Sequence, residues 1–303
     1  DELPDWGVPY DNAHNRPFDV RRDNFYGIVD RDFRKVFADI YTLNGEYRVS
    51  DALKIHGVLR YGQTGNAYVA SAPERPNTTN ANPNLWTVNA NAKRRDAVTG
   101  SWAGQLDATW DVQTGIFEHT LVFGVDASKE EVVNRQRAST ECATLPCVGA
   151  STSPVQNLLN PNPYRPWAVN DGGVLSRSDV DVESLGVYAI DTIKMGEKWR
   201  ATVGVRRDSY KIDFSQITYA TGVVARRSND VDFWNWHLGL VYKPKSNVSL
   251  YAAYGSSSNP SGEQLDSTAL DYGGLDARTS ALDPERNKSY EVGAKWNVFD
   301  EHL

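Results

Sequence analysis

Residues Ser101–Val112 read SWAGQLDATWDV, and their order decides the fold. Trp102, Gly104, Leu106, Ala108, Trp110 and Val112 fall on one side of an extended chain. Ser101, Ala103, Gln105, Asp107, Thr109 and Asp111 fall on the other. Successive side chains of a strand point to opposite faces, so this spacing predicts a strand with one apolar and one polar face. Its length is close to the roughly 9–11 residues that a tilted strand needs to cross a bilayer. The next stretch repeats the pattern. Phe117, Leu121, Phe123 and Val125 share a face, with His119 as the exception, and Glu118, Thr120, Val122, Gly124 and Asp126 take the other. Only Gln113-Thr114-Gly115 separates the two stretches, a tight turn with a glycine available for positive φ.

Working outward, the same alternation recurs. Tyr41, Leu43, Gly45, Tyr47 and Val49 form one face, and after Ser50-Asp51-Ala52 so do Leu53, Ile55, Leu59 and Tyr61. Tyr188, Ile190 and Thr192 lead to a turn around Gly196, and Trp199, Ala201, Val203 and Val205 follow it. Trp234, Trp236, Leu238, Leu240 and Tyr242 precede the turn Pro244-Lys245-Ser246-Asn247, with Val248, Leu250, Ala252 and Tyr254 after it. Tyr290, Val292, Ala294, Trp296 and Val298 come last. About nine strands result, by this alternation. Short turns near 50–52, 113–115, 195–198 and 244–247 alternate with long connections near 71–100, 128–180, 215–230 and 257–286. Long structureless loops are uncommon in compact soluble domains. Short turns on one side and long loops on the other are what an outer-membrane barrel shows. Aromatic residues near both strand ends fit the two girdles of such a barrel: Trp110, Phe117, Trp199, Tyr242 and Phe299 by the short turns, and Trp102, Trp234 and Tyr254 toward the long side. A large soluble β-sandwich or β-helix is the competing fold.

Composition is consistent with that reading. The chain has 303 residues, net charge −7, a pI near 5.3, 40% hydrophobic residues and a mean hydropathy of −0.53. No run approaches the roughly 18 apolar residues of a membrane helix, but barrel strands average apolar and polar residues and escape that test. Nine Trp and fifteen Tyr suit membrane interfaces. The acidic balance argues against a nucleic-acid partner. Cys142 and Cys147 lie in a polar stretch that lacks the further ligands a zinc site wants; a small disulfide-closed loop in an oxidising compartment fits better, the alternative being two free surface thiols. Nine is an odd number, and bacterial up-and-down barrels close with even counts. With an opening at Asp1-Glu2-Leu3-Pro4 and an ending at Asp300-Glu301-His302-Leu303 that both read as cut, residues 1–303 are expected to be one partial β-barrel domain.

Several stretches resemble the barrel of TonB-dependent siderophore receptors, the catecholate type in particular. They are Pro4-Asp5-Trp6-Gly7-Val8-Pro9-Tyr10, Arg22-Asp23-Asn24-Phe25-Tyr26-Gly27, Arg31-Asp32-Phe33 and Asn157-Leu158-Leu159-Asn160-Pro161-Asn162-Pro163. Gly204-Val205-Arg206-Arg207-Asp208 is similar to the family's Gly-Leu-Arg-Tyr-Asp strand, with Arg207 in place of Tyr. Leu282-Asp283-Pro284-Glu285 with Tyr290-Glu291-Val292-Gly293-Ala294-Lys295-Trp296 is similar to its Leu-x-Pro-Glu…Tyr-Glu-x-Gly-x-Lys pattern. The resemblance implies an antiparallel transmembrane barrel of 22 strands in the bacterial outer membrane, closed by a plug that this sequence does not contain. It also implies TonB as the energy-coupling partner, through a plug segment, and a ferric siderophore as cargo.

No enzyme constellation is present: there is no Gly-x-Ser-x-Gly, no His-Glu-x-x-His and no phosphate loop. Histidines 14, 56, 119, 237 and 302 are scattered, with His56 and His237 lumenal by strand parity. No cofactor is implied. Ferric catecholates are anionic and aromatic; Arg supplies charge and stacking, and Trp and Tyr add stacking surface. Two long connections combine these residues. One holds Tyr68, Arg75, Trp86, Lys93, Arg94 and Arg95; the other holds Arg135, Arg137, Tyr164, Arg165, Trp167 and Arg177. These are the expected ligand contacts, against ordinary loop solvation or contact with membrane lipid and lipopolysaccharide. The leading function is siderophore import. A passive porin, a membrane-embedded hydrolase and a soluble carbohydrate-binding protein compete with it, and haem, vitamin B12, nickel or sugar could replace the siderophore.

Overall fold

The computed structural model describes residues 2–140, 154–165, 167, 170–260 and 282–297. Cys142 and Cys147, with their expected disulfide, lie outside the described residues, as do Val298 and Phe299. Nine long strands run antiparallel: β3 (Phe33–Arg48), β4 (Leu53–Asn77), β5 (Thr87–Thr114), β6 (Phe117–Thr140), β8 (Asn170–Met195), β9 (Trp199–Thr218), β10 (Val223–Lys245), β11 (Val248–Asn259) and β12 (Glu285–Trp296). Each pairs with its neighbour in this order, so the sheet is an unbroken meander. Three short strands complete the set among the described residues. β1 (Tyr10–Asp11) pairs with β2 (Arg16–Pro17), and β7 (Val155–Asn157) adds to the far end of β5.

The short turns fall as expected. Gly115 (φ +63°) closes the turn between β5 and β6. Three of the long connections do not, and the fourth, 257–286, lies mostly outside the described residues. Most of residues 71–100 and 128–180 are strand, and the 215–230 connection is a hairpin turned at Gly222 (φ +67°). The reason lies in the sequence. A strand that rises clear of lipid meets water on both faces, and stretches such as Lys93-Arg94-Arg95-Asp96 and Ser176-Arg177-Ser178-Asp179 lack the apolar alternation while keeping the pairing. β5, with 28 residues, reaches roughly 90 Å at 3.3 Å per residue, far beyond an apolar band about 25 Å tall.

One face of the short-turn half is apolar and open: Leu43, Leu106, Trp102, Val203, Trp236 and Val292 are among its exposed large side chains. A continuous apolar surface of this kind is what lipid covers. On β8 this face is formed by Leu185, Val187, Ala189 and Ile193, since Val125 pairs with Val187 and Ala127 with Leu185. Tyr188, Ile190 and Thr192 therefore belong to the polar face. Aromatic contacts mark both borders of the band. Tyr61 packs on Trp102 at 4.6 Å and Tyr254 on Tyr290 at 5.1 Å on the long side; Trp199 stacks on Tyr242 at 4.4 Å by the short turns.

The two borders give the strand tilt. The hydrogen-bonded row that starts at Tyr290 passes through Tyr254, Leu238, Val203, Asp191 and Leu121 to Trp110. On β5 the long-side border is Trp102, eight residues beyond Trp110. Over six strand steps the border thus slips about 1.3 residues per strand, which with 3.3 Å rise and 4.8 Å spacing means a tilt of roughly 40°.

His119 lies on the apolar face, and it brings company. Its Nδ1 is 2.8 Å from Oδ2 of Asp191 and its Nε2 is 2.8 Å from the Thr114 hydroxyl. With the proton on Nδ1 the ring donates to the carboxylate and accepts from Thr114. His119→Leu should leave the Asp191 carboxylate unpaired among Leu121 and Val203 and cost about 1–3 kcal/mol. The double change His119→Leu with Asp191→Val should recover most of it. Denaturant titration of the protein folded into vesicles checks this, and a double variant no better than the single would show that the pair carries no such coupling.

Candidate functional site on the polar wall and at the tall end

The polar face of the bilayer-level wall carries a hydrogen-bonded belt across its strands. His56 on β4 sits between Asn44 on β3 (Nε2 to Oδ1, 3.0 Å) and Asp107 on β5 (Nδ1 to Oδ1, 3.1 Å). Gln105 donates to Asp107 and to the Tyr188 hydroxyl, each at 3.0 Å. The Arg206 guanidinium lies over the Tyr188 ring at 5.6 Å, grips Asp126 through both Nη atoms at 2.6 and 2.9 Å, and donates from Nε to Asp208 at 2.7 Å. Two glycines make this possible. A Cβ at Gly186 would run into the guanidinium, and one at Gly124 into the Tyr188 ring. The small residues leave room for long side chains to lie flat across neighbouring strands. The belt is a fixed polar surface in which one guanidinium bridges two carboxylates, as a water-filled lumen allows.

A second cluster sits at the tall end. Register between β4 and β5 is unbroken from Leu53 to Glu74, so Ser71 and Arg94 share a face with Leu59 and Tyr61. The segment before β3 crosses that face. Asp32, fully buried, accepts from the Ser71 hydroxyl (2.5 Å), the Ser71 amide (3.1 Å) and the Ile28 amide (3.3 Å). Arg31, also buried, donates from Nε to Asp32 at 2.7 Å, contacts Ser71 through Nη2 and lies under the Trp167 ring at 4.7 Å. Burial first, and the Arg31 charge second, pull the Arg94 guanidinium below its usual range. The Tyr26 hydroxyl is raised by burial; it donates to the Leu158 carbonyl at 2.7 Å. Asn24 donates to Leu159 at 3.0 Å, and the Val29 amide to Pro163 at 2.9 Å. The 22–33 and 157–163 motifs thus fold onto each other.

The residues expected to contact ligand are dispersed. Tyr68 and Arg95 face each other across β4 and β5 on the polar face, with Arg34 opposite Tyr68. Arg94 is on the other face, close enough to feel the Arg31 charge, and Trp167 packs against Arg31. Arg135 is directly opposite Arg177, which is held by Asp179 at 2.5 Å. Arg75 (φ +52°) stands in the irregular stretch near the β4 end. Trp86 caps a 3-10 turn and donates from its indole to Asn80 at 2.8 Å. Tyr164 is exposed, and Arg165 donates to the Val155 carbonyl at 3.1 Å. Arg137 pairs through its backbone with Val174. Sequence reasoning missed Arg31, Asp32, Ser71 and the Asp126–Arg206–Asp208 group as sites. The usable signal was present: adjacent opposite charges in a motif, and glycines placed opposite long side chains.

The family described as TonB dependent receptor-like, beta-barrel matches residues 2–301. The chain is 28% identical over its whole length to the "Probable TonB-dependent siderophore receptor PiuA" of Acinetobacter baumannii, covering 42% of that protein. It is 24% identical over 99% of its length to the "Catecholate siderophore receptor Fiu" of Escherichia coli K12, covering 41%. The solved structure of PiuA superposes with a TM-score of 0.83 at 24% identity, over 99% of this chain and 44% of that one. The chain therefore spans about two fifths of the length of the relatives it matches.

Proposed function

The chain belongs to the TonB dependent receptor-like β-barrel family, a family of transport receptors, and from that premise we propose that it forms part of the wall of a bacterial outer-membrane importer of ferric siderophores. The cargo is of the catecholate class and the energy comes through TonB. The observation that carries this reading is whole-chain similarity to relatives named as siderophore receptors, one of them a catecholate receptor. The geometry agrees with it. The wall rises well beyond the bilayer, and its polar face there sets Arg34, Tyr68 and Arg95 side by side. Guanidinium and phenol together suit an anionic aromatic ligand. The reading is one of binding and passage, with no bond chemistry on the protein.

The test is iron-limited growth of a strain whose only catecholate receptor is the one containing this chain. Growth on a ferric catecholate that disappears on deletion of TonB is the expected result. Growth without TonB would favour a passive porin, and TonB-dependent uptake of haem or vitamin B12 alone would overturn the ligand class. Within the receptor, Arg95→Ala should weaken ferric-catecholate binding about tenfold, or about 1.4 kcal/mol. Unchanged affinity in a binding titration would remove Arg95 from the ligand path.

A further inference from the structure

At the tall end the Arg31 side chain is only 3% exposed, and two of its three guanidinium nitrogens are answered. Nε donates to Asp32 and Nη2 to the Ser71 hydroxyl oxygen. The third, Nη1, is buried with no acceptor among the described residues. Asp32 cannot serve it. Its Oδ1 takes Arg31 Nε, and its Oδ2 takes the Ser71 hydroxyl and the amides of Ile28 and Ser71. Trp167 covers the guanidinium face at 4.7 Å. A second cation stands close by. Ser71 is directly opposite Ala92, so Arg94, two residues on and on the same face, is its diagonal neighbour. That separation, about 7–8 Å, is one a long side chain spans. The Arg31 charge reaches the Arg94 guanidinium and adds to the effect of burial in lowering its pKa. Asp96 lies one further same-face step away, opposite Ala67, and does not reach Nη1.

We propose that this corner binds a halide ion, chloride in the natural setting, held at Arg31 Nη1 in the field of Arg94. A buried donor on a cation is costly without an acceptor, and two neighbouring guanidiniums call for negative charge. Donor count chooses among the anions. A phosphate, sulfate or carboxylate brings several acceptor oxygens to a corner where the open donors of Arg31 belong to one nitrogen, and leaves the rest buried and unpaired. A single spherical ion is satisfied by that nitrogen and the surrounding charge. The ion then belongs to the fastening. It completes Arg31, which with Asp32 holds the segment before β3 on the wall, so halide binding and closure of that segment are linked.

The inference rests on the packing of the tall end and on no statement about siderophore. Crystals of the full receptor soaked in bromide should show an anomalous peak within hydrogen-bond reach of Arg31 Nη1. In solution, hydrogen exchange of the peptide carrying the Ile28 amide is compared in chloride, bromide and gluconate at equal ionic strength. For half-occupancy near ~50 mM halide, exchange at ~150 mM should be about fourfold slower than in gluconate. Arg94→Gln, which keeps a polar side chain and removes the charge, should reduce that slowing to less than about twofold. A variant whose segment fails to close exchanges fast in every salt, and the unaltered receptor then decides alone. No bromide at Arg31, or equal exchange of the unaltered receptor in all three salts, overturns the site. Bromide in the crystal without slowing in solution means an adventitious ion only and overturns it too, as does slowing left unchanged by Arg94→Gln. A receptor that binds halide as stated but imports no siderophore would refute the proposed function and leave this site standing.

Discussion

Leu106→Arg should destabilise the membrane-inserted receptor by about 2–4 kcal/mol, the largest effect expected of any single change on the lipid face. Leu106 lies midway between Trp102 and Trp110 on β5, so with both borders of the band on its own strand it is at the bilayer midplane. An arginine there has no water to reach without distorting strand or lipid. Leu121 stands abreast of Trp110, and arginine there should cost less. Thr120→Arg is the matched control: it faces the polar side, where Thr120 donates to Asp111 at 2.8 Å and a cation would gain that carboxylate. Denaturant titrations in lipid vesicles read the difference. Equal cost at positions 106 and 120 would mean that the two faces are not lipid and lumen.

The second large effect belongs to Asp32→Ala. The change strips a buried guanidinium of its carboxylate and leaves the amides of Ile28 and Ser71 without their acceptor. Removing one partner of a buried ion pair typically costs about 3–5 kcal/mol. The loss should be local. Segments 24–33 and 155–167 should come away from the wall while the bilayer-level strands stay paired. Faster trypsin cleavage after Arg21 and Arg22 with unchanged heat-modifiable mobility is the expected signature. Arg31→Met with Asp32→Ala should protect those sites better than Asp32→Ala alone. Cleavage at the original rate in the single variant would show that the cluster does not hold the segment.

How far the sequence could be read was set by the surroundings of each strand. Where lipid faces one side and water the other, alternation is enforced, and Ser101–Val112 or Trp234–Tyr242 disclose both strand and face. Tyr188 and Ile190 misled for a physical reason. A large apolar side chain can occupy the lumenal side when a glycine lies opposite, as Gly124 does for Tyr188 and Gly204 for Ile190. Past the girdles the signal vanishes, so Tyr68, Arg94 and Arg177 read as loop although they are strand. Composition finds arginines and aromatics but not the face they occupy. Parity along an unbroken register separates Arg94 from Arg95, neighbours in sequence on opposite sides of the wall.

Because, among the described residues, each long strand bonds along the wall to the long strands before and after it in the chain, the hairpin is the smallest unit that can be gained or lost. Deleting one strand would turn every later strand upside down and deliver its short turns to the wrong side of the membrane. Deleting two adjacent strands leaves later segments with their polarity, and the seam closes on partners that keep the same slip per strand. Duplication or loss of adjacent strand pairs is thus the step open to a lineage of such walls. Circumference can change over evolutionary time in increments of two strands, while each surviving pair keeps its own register and its own lipid-facing side.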